Sequence, residues 1–160
     1  MFPQLCGRPI RVEVRRTLGS HLAATSIPSR LILLDAAVFR RRGEFERILL
    51  HELFHFAWVR LSNQQRRAWE DVLMHERAVG AAGELGWSAE WRKDTLRPED
   101  IRRRTPRWRR YACESFCDTA AWLFAGLLTH DEFTLAAPAR RLRRQWFTGT
   151  VADRRDTLRV

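Results

Sequence analysis

Residues 47–59, RILLHELFHFAWV, constrain this chain more than any other stretch. Phe45, Ile48, Leu49, Leu53, Phe56 and Ala57 recur at three and four residues, and Glu44 and Glu46 stand in what would be the first turn, where a helix dipole favours anions. An amphipathic helix over about 44–61 is expected. Inside it, His51, Glu52 and His55 form an H-E-x-x-H pattern. Imidazoles four residues apart on a helix lie one above the other, so both can reach one metal ion, and Glu52 beside them can handle a proton. The pattern sits mid-helix, where metal ligands would be held rigidly.

A length of 160 residues fits one domain, 1–160, with a single core. Apolar residues make up 45% of the chain and seven are Trp, which excludes a charge-dominated disordered polymer although 30% of the residues are charged. Ahead of the motif, Ile10, Val12 and Val14 alternate with charged residues over 8–18, the pattern of a half-buried strand. The continuously apolar Leu31, Ile32, Leu33 and Leu34 predict a second strand, covered on both faces.

Behind the motif, a helix is expected over 64–82 with Trp69, Val72, Leu73 and Val79 inward. Residues 83–93, GELGWSAEWRK, read as loop or short strand because of Gly83, Gly86 and the nearby Pro98. A third helix is expected from Trp108 or Tyr111 to Leu128, and a last one over 138–147 with Leu142 and Trp146 inward. Residues 148–160 read as a polar tail. The expected class is α+β: a short, mainly N-terminal sheet packed on the motif helix and on a second helix bearing Glu114.

The N-terminal residues hold no basic segment followed by a long apolar core, so no secretory signal is read. The longest apolar stretch, near 120–128, falls far short of the roughly 20 residues a membrane span requires. Cys6, Cys113 and Cys117 are too few and too odd a set for a disulfide framework, which fits a reducing compartment and a cytoplasmic location. Net charge is +10, with Lys93 the single lysine among 29 basic residues. Such charge favours phosphate backbones, anionic lipid heads or acidic proteins. No nucleic-acid reader motif accompanies it, so nucleic acid is not the favoured partner.

Two histidines leave a zinc ion short of ligands, since a catalytic site offers three protein groups and keeps one position for water. The third is expected from Glu114 in YACESFCDTAAWLF, because it lies in the next strong helix and Asp118 follows it by one turn. A carboxylate at 118 can accept a hydrogen bond from a ligand imidazole and fix its tautomer. A thiolate is also a good zinc ligand, so Cys113 or Cys117 could displace Glu114; both also suit the plain role of small buried residues. A tetrahedral oxyanion needs a further donor. Tyr111 is the candidate, with His75, His130 and the arginines of 107–110 as competitors. Trp87 and Trp91 are either core or one wall of a cleft.

HELFH followed by a helical E-x-x-x-D resembles the gluzincin group of zinc metallopeptidases. ESFCDTAAWLFAGLL is similar to the E-x-x-A-[ND]-x-F-A-x-x-LL stretch of the ImmA/IrrE-like metallopeptidases. The resemblance covers roughly 30–62 and 111–128. It implies a zincin-like fold, one zinc ion bound by His51, His55 and Glu114, Glu52 as general base, Asp118 orienting His51, and a protein or peptide substrate. The alternative is a zincin-fold regulatory or nucleic-acid-binding module, whose basic charge would matter more than hydrolysis.

Overall fold

The computed structural model describes residues 3–152 and 157–160. β4 (Leu31–Asp35) is the centre of a three-stranded mixed sheet in the order β2-β4-β3. β2 (Arg11–Arg15) runs parallel to β4 with Val12 opposite Ile32, and β3 (Ala23–Ser26) runs antiparallel with Thr25 opposite Ile32. Ile32 and Leu34 are fully buried, whereas Leu31 and Leu33 are half-buried, so the expected two-sided cover of β4 is complete on one face only. Helix α1 (Glu44–Trp58) lies mainly over β3 and β4. The outer strand β2 extends past this cover, and Val12 and Val14 are exposed rather than turned into the core as their alternation predicts.

Asp35 ends β4 and caps the 3-10 turn Ala36–Arg40, its carboxylate accepting from the Ala37 N–H at 2.8 Å. The chain then enters α1 through Gly43, whose φ of +80° is left-handed. A Cβ at Gly43 would also meet the end of the Leu127 side chain at 2.3 Å, but that end can give way, so the left-handed backbone is what favours glycine. Helix α2 (Asn63–Ala78) starts with a reciprocal Ser62–Gln65 capping box. Helix α5 (Pro106–Phe124) starts with proline in its first turn and packs along α1, the most extensive helix pairing of the molecule. Phe54 of α1, Phe116 of α5 and Phe147 of α6 (Ala137–Phe147) join Trp69 of α2 in one aromatic core; the Phe116 and Phe147 rings stack at 4.9 Å.

The structure departs from the sequence reading beyond β2 as well. Residues 87–94 are not loop: Trp87–Asp94 is a helix, α3, followed by the short α4 (Pro98–Arg102). The chain after α6 is not a polar tail. β5 (Thr157–Arg159) pairs in parallel with β1 (Gln4–Cys6), the Val160 N–H donates to the Cys6 carbonyl at 3.0 Å, and Val151 and Val160 are buried. Residues 153–156 of that expected tail lie outside the described residues. The third helix stops at Phe124, ahead of Gly126 with its φ of +72°, and Leu128 is almost fully exposed.

The described fold is therefore α+β: an N-terminal three-stranded mixed sheet and six helices. A buried charge network ties its C-terminal half together. Arg143 of α6 has no solvent exposure and forms paired hydrogen bonds to two carboxylates, Glu76 (2.7 and 2.9 Å) and Glu84 (2.8 and 3.1 Å). No helix among the described residues is long and apolar enough to cross a membrane.

Candidate metal centre

The helical register of α1 turns His51, Glu52 and His55 toward one cleft of about 500 Å3, facing α5 and the start of β3. The two imidazoles lie 5.0 Å apart, nearly edge to face. His51 Nδ1 and Asp118 Oδ1 are 2.6 Å apart, and Asp118 is almost fully buried. With His51 Nδ1–H donating to this carboxylate, Nε2 is left as the coordinating atom. His51 Nε2 lies 3.3 Å from Glu114 Oε2. The expected pairing of Asp118 with His51 and the expected approach of Glu114 are thus both present, across an intervening 58 residues between His55 and Glu114.

Helix α3, unrecognised in the sequence, explains how that excursion closes. Its first turn packs on α5: Ser88 donates its hydroxyl to Glu114 Oε2 at 2.6 Å, and the Ala89 N–H donates to Asp118 Oδ2 at 3.3 Å. The Trp87 N–H donates to Glu132 Oε2 at 2.7 Å, and Glu132 in turn bonds Arg47 of α1. Three carboxylates thus gather at or beside a helix N-terminus, where unpaired N–H groups favour anions. Gly86 permits the close packing. A Cβ there would lie 2.2–2.4 Å from the Asp118 carboxylate, so any larger residue must displace the partner of His51.

Burial alone would depress the His51 imidazolium, yet the charge and hydrogen bond of Asp118, helped by Glu114, raise its pKa well above the usual histidine value. Burial would raise the Glu114 carboxyl, but the His51 hydrogen bond and the charges of both histidines hold it at about 2. A positive charge between these carboxylates is therefore stabilised, which is the environment a divalent cation needs. The donor chemistry agrees with that electrostatics. His51, His55 and Cys117 each place one ligand atom within 4.8 Å of the others, a mostly buried group able to hold a metal ion. His55 Nδ1 lies 3.4 Å from Cys113 Sγ. The Cys117 hydrogen bond, aided by His55, lowers the Cys113 thiol to about 6.

The remaining expected residues divide. Glu52 lines the cleft, as do Trp87, which is largely exposed, and His21 of the loop before β3. Neither Trp87 nor Trp91 is core: both are exposed with their rings stacked at 6.3 Å, and of the two only Trp87 lines the cleft. Tyr111, expected as an oxyanion donor, is fully buried outside this cleft and donates its hydroxyl to Glu84 Oε1 at 2.6 Å. Its three-residue spacing from Glu114 leaves it only about 60° round the helix, so the outcome is set by Glu84, which draws the hydroxyl into the interior. His130 bonds Glu44 at 3.1 Å, and the arginines of 107–110 are exposed outside the cleft. Sequence reading missed Gly86 and Ser88, which carry no motif of their own, and gave His21 no role.

Comparison with known proteins adds no family: no family model, no curated protein and no solved structure matches this chain.

Proposed function

We propose that this protein is a zinc-dependent metallopeptidase with a zincin-like fold, similar to the gluzincin and ImmA/IrrE-like enzymes. The carrying observation is the convergence of α1 and α5, which sets Asp118 against His51 Nδ1 at 2.6 Å and Glu114 3.3 Å from His51 Nε2. His51, His55 and Glu114 would hold one zinc ion. Such an ion makes water nucleophilic near neutral pH and polarises a peptide carbonyl.

This chain's own residues supply the rest. Asp118 holds the tautomer of His51 and strengthens it as a donor. Glu52, on the cleft wall beside both histidines, accepts the proton of the attacking water and passes it to the departing amine. The edge strand β3 offers backbone groups beside the cleft, suited to a substrate chain in extended form. Tyr111 has no part in this scheme, because Glu84 occupies its hydroxyl.

The test is zinc content and peptide cleavage across a variant set. His51→Ala should lose stoichiometric zinc, and Glu52→Gln should keep zinc while cleavage falls about 10²–10⁴-fold. Stoichiometric zinc in His51→Ala would sink the proposal. The net charge of +10 supports a second reading, a nucleic-acid-binding or regulatory module. That reading requires tight, sequence-selective DNA binding that is indifferent to zinc removal.

A further inference from the structure

The zinc reading uses one donor from α5, but α5 brings two sulfur atoms to the same place. We propose that the Cys117 thiolate is a direct metal ligand, joining His51, His55 and Glu114 in a closed four-donor resting centre. The proposal rests on the zinc-binding reading and adds to it a donor that an H-E-x-x-H site does not need.

Position is the first support. Glu114, Cys117 and Asp118 stand three and four residues apart on α5 and therefore share a face, and that face meets the histidines of α1. Cys117 Sγ and one nitrogen from each histidine all lie within 4.8 Å of one another. Zinc–sulfur and zinc–nitrogen bonds of about 2.3 and 2.0 Å in a tetrahedron put such donors roughly 3.5 Å apart, so a shift of about an ångström closes the set.

The surroundings of the thiol are the second support. Cys117 has no solvent exposure and is free of any disulfide; its thiol hydrogen-bonds Cys113, and the two histidines lie within ligand reach of its sulfur. Cys113, one turn earlier, faces His55 Nδ1 at 3.4 Å, on the opposite side of the ring from Nε2. The two sulfurs thus differ: Cys113 receives the Nδ1–H of His55 as Asp118 receives that of His51, whereas Cys117 lies within reach of a nitrogen of each histidine. Forming the metal–sulfur bond releases the Cys117 thiol proton to solvent. Four protein donors leave no position for water, the arrangement of a structural zinc site, whereas three leave one open. Whether sulfur is bound or detached therefore decides whether this centre can activate water.

Cobalt(II) loading and zinc X-ray absorption test it. Wild-type protein loaded with one cobalt should show a sulfur-to-cobalt charge-transfer band in the near ultraviolet and intense four-coordinate visible bands. Cys117→Ser should lose the charge-transfer band, while Cys113→Ser and Glu114→Gln keep it. The zinc-loaded wild type should show one sulfur scatterer at about 2.3 Å with three lighter donors near 2.0 Å, a readout that stands even if a Cys117 variant does not fold. Bound cobalt that depends on His51 but lacks the charge-transfer band overturns the sulfur ligand and leaves the zinc reading intact. A band that survives in Cys117→Ser and vanishes in Cys113→Ser assigns the sulfur to the wrong cysteine and overturns the proposal as well. Cobalt retained in His51→Ala, by contrast, is failure of the zinc reading itself.

Discussion

Gly86→Ala should weaken metal binding although it removes no donor. The added Cβ would sit 2.2 Å from Asp118 Cγ and 2.3 and 2.4 Å from its two oxygens, where ordinary contact begins at 3.4 Å. Relief requires the carboxylate to retreat by about 1 Å, because it is held between α3 and α5 in a close-packed interior. The His51 Nδ1 to Asp118 Oδ1 distance, now 2.6 Å, then passes beyond hydrogen-bonding range. Losing the partner of a ligand histidine costs about 10–100-fold in metal affinity, or about 1.4–2.7 kcal/mol. Overpacking would also remove about 1–3 kcal/mol of fold stability. Zinc affinity by chelator competition, with unfolding of the metal-free protein alongside, reads both effects. In the double variant Gly86→Ala, Asp118→Ala the methyl group has room, so zinc affinity should be no lower than in Asp118→Ala alone. Gly86→Ala with zinc affinity within about twofold of wild type, or strict additivity in the double variant, would refute the reasoning.

Tyr111→Phe should lower stability by about 1.5–3 kcal/mol, the worth of a buried hydrogen bond to a charged group, and leave zinc content and cleavage unchanged; a selective fall in kcat would return Tyr111 to the chemistry. Arg143→Met strands Glu76 and Glu84 in the interior and should cost about 3–5 kcal/mol in chemical denaturation, so a loss below about 1 kcal/mol would contradict the network. Acid stability follows from Glu84. Burial raises its carboxyl, but Arg143 and Lys93 outweigh that and hold its folded pKa below the ordinary 4.5. The stability it contributes is complete above about pH 4.5 and lost as pH falls through the lower folded value. Glu84→Gln should accordingly flatten the decline below about pH 4.5, and an unchanged acid slope in urea melts would exclude Glu84 as its source.

Much of the fold was legible because it is set by local periodicity. The apolar spacing of α1, α2, α5 and α6 marks all four helices, and the run of Leu31 to Leu34 marks the central strand. What escaped depends on contacts distant in sequence. Val12 and Val14 alternate like a buried strand, but burial is decided by where α1 stops covering the sheet. β5 is three residues long and exists by pairing with β1, some 150 residues away, a relation no local pattern carries.

The site divides along the same line. His51, Glu52 and His55 share one helix turn, and Glu114 and Asp118 another, so each half is readable from spacing alone. They meet through the direct packing of α1 on α5, while α3 fixes the two α5 carboxylates there, and α3 was hidden by the residue that lets it pack so closely. Gly83 and Gly86 read as loop punctuation, yet Gly86 is extended backbone with φ of −175°, a conformation open to any residue. Its missing side chain answers a steric demand from Asp118, thirty-two residues on, rather than a conformational demand of its own. A glycine of this kind carries the signal of a turn while serving as the floor beneath the carboxylate that pairs with His51. Composition cannot separate the two meanings, but substitution can: a turn glycine answers to backbone strain, whereas Gly86 should answer to the volume of residue 118.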